Sequence, residues 1–219
     1  MRLRSLSTLI FSIGLLGLLA QPAGAASFSP SATFKLSSTV VKANPTFTIT
    51  VHQDAGEEEI AKVVLLVPHG FHLPSDAAIN GGEKLGQGTI TVAITPACNS
   101  ASQQTNPATI TEKNRTAAQK SSGVFSVWHV NIQQVVSFDL VWKGSVSNGF
   151  TGTAKIPHTA VTCPPFTFKA TINKKSSSTH HKILVNPSSA GNYTFKAHFV
   201  SRPSKIKRTV SKTFKITAS

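Results

Sequence analysis

Acidic residues are scarce in this chain of 219 residues, which holds 8 Asp and Glu against 22 Lys and Arg. No acid follows Asp139, so residues 140–219 contain thirteen bases and no carboxylate, whereas residues 26–139 carry a net charge of −1. So few carboxylates leave few candidates for the pair that a glycosidase needs. The uneven basic excess favours contact with a polyanion instead.

Cysteine is also rare, because Cys98 and Cys163 are the only two in the chain. Neither belongs to a C-x-x-C pair or lies next to a histidine, so the alternative of a reactive or metal-binding thiol has no motif behind it. In an oxidising compartment two such cysteines are expected to form one disulfide. We therefore predict a disulfide between Cys98 and Cys163.

Long apolar runs are missing except near the N-terminus. There Arg2 and Arg4 precede the apolar run LIFSIGLLGLLA and the small-residue segment QPAGA, which ends at Ala25. This order is typical of a secretory signal peptide, and the run is too short to span a bilayer. We expect removal of residues 1–25, which leaves residues 26–219 as a single secreted, extracellular domain without a transmembrane segment. In a Gram-negative source that domain would be periplasmic.

Helical periodicity is missing as well, and alternation of apolar with polar residues takes its place. Alternating segments rich in Thr, Val, Ile and Phe are typical of half-buried strands. They occur at TFTITV (46–51), TITVAI (89–94) and VVSFDLVW (135–142). IAKVVLLV (60–67) is apolar at both parities, which fits a central strand covered on both faces. Asn148 and Gly149 together indicate a hairpin with a type I′ turn.

These patterns predict an all-β fold, specifically an immunoglobulin-like antiparallel β-sandwich of roughly eight to ten strands. The tripeptide Thr-Phe-Lys heads four alternating segments, at 33–35, 167–169, 194–196 and 213–215, and we expect its Phe in the core and its Lys in solvent. Residues 95–122 form a long polar stretch, either an exposed loop or a loop that carries a weak strand near ATIT (108–111). The residues expected to point mainly inward are Phe47, Ile49, Val51, Val63, Leu65, Phe138, Leu140, Phe168, Phe195 and Phe214.

The histidines and glycines offer weaker candidates for a site. The glycines of GGEKLGQG (81–88) precede a strand rather than the helix that a phosphate-binding motif requires, so we interpret them as a turn. Imidazole is a common ligand of copper and zinc, and a metal site formed by His52, His69 and His72 is conceivable. We expect these loop histidines to be solvated, with no bound metal or other cofactor.

The basic C-terminal half offers the main candidate site. We predict that Lys174, Lys175, Lys205, Lys207 and Arg208 contact a polyanion. On a strand Lys205, Lys207 and Lys215 would share one face with Thr and Ser side chains. The alternative is a solvated face that only keeps the protein soluble. Nucleic-acid binding is less favoured, because no aromatic stacking platform is interleaved with these charges.

From TFTITVHQDAGEEEIAKVVLLVPHGF to LGQGTITV the chain resembles exported bacterial immunoglobulin-like sandwich domains of unknown function. In those domains an acidic connection, a hydrophobic strand ending in P-x-G-aromatic and an L-G-x-G strand entry follow each other similarly. A more distant resemblance, carried by the P-x-G step, is to the YcnI-like, copper-associated exported family. There the mature chain begins with a copper-binding histidine. Here it would begin Ala26 and Ser27, so the copper role does not carry over.

The sequence thus favours a non-enzymatic exported binding or cell-surface interaction module whose basic half contacts an anionic polymer or envelope component. A periplasmic or extracellular copper- or zinc-binding protein is the alternative. A secreted hydrolase is a second alternative, although no G-x-S-x-G nucleophile elbow is present.

Overall fold

A computed structural model describes residues 27–93, 103–133, 135–158 and 165–218. The predicted signal peptide (1–25) and both cysteines, Cys98 and Cys163, lie outside the described residues. Within those four ranges, no helix has the length and apolar character needed to cross a membrane.

The described residues form eleven strands and one short helix. These are β1 (Ser31–Leu36), β2 (Phe47–Gln53), β3 (Ile60–Val67), β4 (Lys84–Ala93), β5 (Gln103–Lys113), α1 (Ala117–Ser121), β6 (Val124–Ile132), β7 (Val136–Ser145), β8 (Gly149–Lys155), β9 (Phe166–Ile172), β10 (Gly191–Ser201) and β11 (Lys207–Ile216). All strands belong to one antiparallel sheet, in the order β1-β2-β9-β4-β5-β6-β7-β8-β3-β10-β11.

The sheet curls until its two outermost strands lie side by side, which makes it nearly a barrel. Just after β1, Val41 N–H donates to the Thr217 carbonyl (2.9 Å), and Thr217 N–H donates to the Thr39 carbonyl (2.8 Å). Inside, the rings of Phe34 on β1 and Phe195 on β10 are 6.3 Å apart. One apolar interior therefore runs between all the strands.

Alternation along each strand builds this interior, as the sequence predicts. All ten residues expected to point inward are buried or partly buried in the core. The Thr-Phe-Lys prediction is also confirmed, because each Phe joins the core and each Lys is exposed. At Gly152 on β8 the Trp142 ring lies so close that an added Cβ would be 2.7 Å from it. Only glycine leaves room for that indole.

The all-β prediction is confirmed, but the immunoglobulin-like sandwich is not, because a single sheet replaces the two separate sheets of a sandwich. The hairpin predicted at Asn148 and Gly149 joins β7 to β8. Its turn is not type I′, since only Gly149 of the two has a positive φ (80°).

The prediction of a long polar loop over residues 95–122 is wrong for most of that stretch. An eleven-residue strand, β5, occupies 103–113, so the alternative of a strand near ATIT is the correct one. The short helix α1 follows it. The inward face of β5 includes the polar residues Asn106 and Glu112 beside Ala108 and Ile110, and these polar residues obscured the alternation.

The barrel has two ends, which we name after the first and last residues of β2. At the Gln53 end, β2 ends and β3, β9 and β11 begin; at the Phe47 end, β2 and β4 begin and β3 ends. The connections over residues 68–83 and 173–190 close the Phe47 end and bury Phe71, Ile79 and Ile183 completely. Strand direction thus assigns each candidate residue to one end.

Candidate polyanion-binding face

The five basic residues selected from the sequence do not form one site. Lys174 and Lys175 follow β9 at the Phe47 end, whereas Lys205, Lys207 and Arg208 lie at the Gln53 end. The eight residues of β3, which joins these ends, span about 26 Å at roughly 3.3 Å per residue. Lys174 and Lys175 therefore cannot contact the same short anionic segment as the other three.

Acidic side chains also neutralise part of the β10–β11 connection at the Gln53 end. Glu58 accepts hydrogen bonds from the backbone N–H (3.2 Å) and the hydroxyl of Ser204. The next residue, Glu59, accepts from Arg202 Nε at 2.9 Å. The acidic run before β3 thus holds this basic connection in place.

Two of the predicted cations at the Gln53 end donate to backbone carbonyls. Lys205 Nζ donates to the Arg202 carbonyl at 2.6 Å, and Arg208 Nε donates to the Phe28 carbonyl at 2.7 Å. Lys207 differs from both, because it lies on the outer face of β11 opposite Val200. Of the predicted set, Lys207 is the residue best placed to contact a partner.

Strand pairing brings two further lysines next to Lys207. Lys62 on β3 lies directly opposite Lys155 on β8 and, on its other side, opposite Val200 of β10. Val200 in turn lies opposite Lys207. We name Lys155, Lys62 and Lys207 the lysine row. Neighbouring strands are about 4.8 Å apart, so Lys62 is one strand from Lys155 and two strands, about 10 Å, from Lys207.

The lysine row belongs to a larger basic surface. Strands β8, β3, β10 and β11 contain no Asp or Glu, and their outer face also carries Lys196 and Lys215. The adjacent strand β7 does carry a carboxylate, Asp139, but Lys113 Nζ (2.6 Å) and His129 Nδ1 (2.8 Å) contact it. Burial opposes ionisation of Asp139, yet the Lys113 and His129 contacts hold its pKa below the usual range.

Internal contacts engage all the Asp and Glu side chains. Each of the eight has a hydrogen-bond or ion-pair partner within the protein. Of the Lys and Arg residues that the structure describes, only Lys113, Arg115 and Arg202 contact a carboxylate. Among the described residues, therefore, no lysine of the row forms an ion pair with a carboxylate.

Two carboxylates are buried near the Phe47 end. Burial would raise the pKa of Glu83, but hydrogen bonds from Thr179 and Asn80 outweigh it and lower the pKa to about 2. Glu112 lies inside the barrel, where burial raises its pKa to about 7 although the Ser126 hydroxyl donates to it at 2.9 Å. Both carboxylates contact neighbouring elements of the same chain, which is a structural role.

The structure separates the three histidines of the alternative metal site. His52 lies at the Gln53 end, where its Nδ1 contacts the Thr167 hydroxyl (2.8 Å) and its Nε2 contacts Asp54 (3.0 Å). His69 and His72 follow β3 at the opposite end. No group of three or more His, Cys, Asp or Glu residues within the described ranges could hold a metal ion.

The glycines of residues 81–88 are explained by chain geometry. Gly82 has a positive φ of 89° in the turn before β4. Gly88 lies within β4, where an added Cβ would be 2.1 Å from the Lys169 carbonyl of β9. The interpretation as a turn is therefore correct for Gly82, whereas Gly88 allows two strands to approach.

No protein-family model matches this chain, and no curated protein matches it significantly either. The function must therefore be inferred from the surface and the interior of the protein itself. Sequence reasoning predicted Lys207 but missed the other two members of the lysine row, Lys62 and Lys155. Lys62 lies in the part of the chain with a net charge of −1, and only the pairing of β3 with β8 and β10 reveals its neighbours.

Proposed function

We propose that this protein is a non-enzymatic, exported binding or cell-surface interaction module that contacts an anionic polymer or envelope component. One observation carries the proposal: internal contacts engage every Asp and Glu side chain, while the described lysines on the outer face of β8, β3, β10 and β11 form no ion pair with a carboxylate. The lysine row is its centre. Export to the cell exterior, or to the periplasm of a Gram-negative source, is part of the same proposal.

Lysine suits this role because its ammonium group is a compact charge on a flexible stem. Binding a polyanion would release counterions, so affinity should fall steeply as salt increases. Each neutralised charge contributes roughly −0.7 to −0.9 to the slope of log affinity against log salt on nucleic acids. On a polymer of similar charge density, the three lysines of the row should therefore contribute about −2 to −3 to the slope of log affinity against log salt.

The test is retention of the mature protein on immobilised heparin, DNA and anionic envelope polymer over a range of salt concentrations. The variant Lys62→Ser, Lys155→Ser, Lys207→Ser should elute at distinctly lower salt than the unaltered protein. Its matched control is Lys35→Ser, Lys120→Ser, Lys169→Ser, which removes the same charge from scattered positions. That control should elute nearer to the unaltered protein.

Two results would overturn the proposal. Equal effects of both triple variants would mean that net charge acts without a local site. Absence of retention on every polymer at low salt would leave a solvated basic face whose role is solubility.

A further inference from the structure

The interior of the barrel contains a cavity of about 140 Å³. Of the eleven strands that the structure describes, all except β11 contribute at least one residue to its wall. A closed barrel of about eight strands is just wide enough to be filled by its own side chains, and the interior widens as strands are added. Eleven strands therefore enclose more space than the inward side chains fill.

The wall of this cavity is apolar. Apart from Lys196, which is exposed on the outer face of β10, every described residue at its border is Phe, Trp, Leu, Ile, Val or Ala. The indole Nε1 atoms of Trp128 and Trp142 are themselves buried, so both rings present carbon atoms to the cavity. A buried water molecule needs about two to four polar partners, and the described wall offers none. The cavity is therefore suited to an apolar occupant and not to water.

An empty apolar cavity of this volume lowers the stability of a native protein. Protein interiors hold few voids larger than a water molecule, because the atoms that line a void lack contact partners on one side. In another protein, an engineered cavity of about 150 Å³ lined by Leu, Ile and Phe stays dry and binds benzene or xenon. The cavity of the present barrel has a similar volume and a similar wall. A ligand of that size would restore the missing contacts.

We propose that this cavity is a binding site for one compact, uncharged and apolar molecule of about the size of benzene. The affinity comes from contacts with the wall and from removal of the apolar surface of the ligand from water. A hydroxyl or carboxylate on the ligand would lose its hydration without gaining a hydrogen-bond partner. The site should therefore select small hydrocarbons over phenols, alcohols and fatty acids.

Calorimetric titration with benzene tests this selectivity. The mature protein should bind benzene with saturation at one molecule per chain. Phenol has nearly the same shape and should bind at least tenfold more weakly, because the described wall residues offer its hydroxyl no partner. Benzene should also raise the midpoint of thermal unfolding, since it binds the folded chain alone. Absence of benzene binding up to its solubility limit, or equal affinity for benzene and phenol, would overturn the proposal.

Two wall variants and one control locate the ligand. Ala170 on β9 and Ala154 on β8 are buried and line the cavity from strands that are far apart in the sheet order. Valine adds volume at the wall, so Ala170→Val and Ala154→Val should each weaken benzene binding at least fivefold. Ala108 on β5 is equally buried but does not line the cavity. Ala108→Val should therefore leave the affinity for benzene unchanged.

Either wall variant decides the proposal if the other fails to fold. Tryptophan fluorescence gives a measurement on the unaltered protein as well, because Trp128 and Trp142 are the only tryptophans and both line the cavity. It should change with the same affinity as the calorimetric signal.

Three results would place the ligand outside the cavity and overturn the proposal. They are unchanged benzene affinity in a folded wall variant, equal weakening in all three variants, and calorimetric binding without a change in fluorescence. Binding in this interior is independent of the lysine row, so none of these results bears on polymer retention.

Discussion

Lys62 on β3 and Lys155 on β8 lie directly opposite each other on the outer face of the sheet. Side chains at such positions are about 5 Å apart at Cβ, and like charges there destabilise a sheet. Neither lysine contacts a carboxylate among the described residues. The pair therefore costs stability in the free protein, and binding of an anionic partner would remove the repulsion.

Lys155→Glu should raise stability and weaken binding at the same time. The new carboxylate would face Lys62 and exchange a like-charge pair for an opposite-charge pair, which is worth about 1 kcal/mol. Urea denaturation should show a correspondingly larger free energy of unfolding, and retention on an anionic polymer should fall.

Lys169→Glu is the matched control for this charge reversal. Lys169 on β9 lies opposite Thr50 and Thr89 rather than another lysine. The free energy of unfolding of the Lys169→Glu variant should differ from that of the unaltered protein by less than about 0.5 kcal/mol, as is usual for surface substitutions. A gain in stability as large as that of Lys155→Glu would show that net charge, and not the Lys62 pair, is responsible.

Glu112 should make stability fall as the pH rises through the neutral range. Burial raises its pKa from the usual 4.5 to about 7, so the folded protein holds this proton after the unfolded chain has released it. Between pH 4.5 and about pH 7, the free energy of unfolding therefore decreases as the pH rises. One pKa unit corresponds to about 1.4 kcal/mol, so the loss attributable to Glu112 is about 3 kcal/mol.

The comparison with Glu112→Gln isolates this effect. The amide stays neutral and can still accept a hydrogen bond from the Ser126 hydroxyl. Urea denaturation at pH 5 and pH 8 should show that the variant gains stability relative to the unaltered protein as the pH rises. A constant difference between the two proteins at both pH values would contradict the assignment.

Local alternation was enough to predict most strands but not β5. The inward residues of β7 and β9, and those of β2 apart from Gln53 at its end, are apolar, so their period of two is visible in the sequence. On β5 the inward positions include Asn106 and Glu112, whose burial depends on Gln104 and Ser126 as hydrogen-bond partners. A polar residue that is buried through such a hydrogen bond breaks the alternation, so the local pattern does not reveal the strand.

The candidate site shows the same division between local and non-local information. The sequence predicted the outer position of Lys207 from parity along β11. It could not predict that Lys62, nearly 150 positions earlier, lies two strands away in the same row. It also could not predict that β2 and β3 point His52 and His69 to opposite ends of the barrel. Both outcomes depend on strand order.

Glu83 should stabilise the protein at neutral pH and lose this effect in acid. Its carboxylate accepts hydrogen bonds from the backbone N–H of Thr179 (3.0 Å) and from that of Asn80 (3.1 Å). The bond from Thr179 joins the start of β4 to the 173–190 connection. Because its pKa is lowered from 4.5 to about 2, the stabilisation is present above pH 4.5 and disappears as the pH falls towards 2.

Glu83→Gln measures this contribution directly. At pH 7 the free energy of unfolding should fall, and the difference from the unaltered protein should shrink below pH 4.5. Glu112→Gln, whose effect has the opposite sign and a higher pH range, serves as the control. A loss in Glu83→Gln that does not change with pH would mean that the charge of the carboxylate plays no part.

The disulfide between Cys98 and Cys163 stays a prediction, and the fold adds one argument for it. Strands β4 and β9 are antiparallel neighbours, with Val92 opposite Phe166. The chain leaves β4 towards Cys98 and enters β9 from Cys163 at the same Gln53 end. Thiol titration of the denatured, unreduced mature protein should find no free thiol.

Reduction should then cost the mature protein about 4 kcal/mol of unfolding free energy, because the bond would close a loop of some 65 residues. The variant Cys98→Ser, Cys163→Ser should match the reduced protein in stability and should not respond to reductant, since it has no bond to lose. Two free thiols in the unreduced protein would rule the bond out. If the oxidised protein and the double variant were equally stable, the bond would not restrict the conformations of the unfolded chain. That result would contradict the predicted stabilisation.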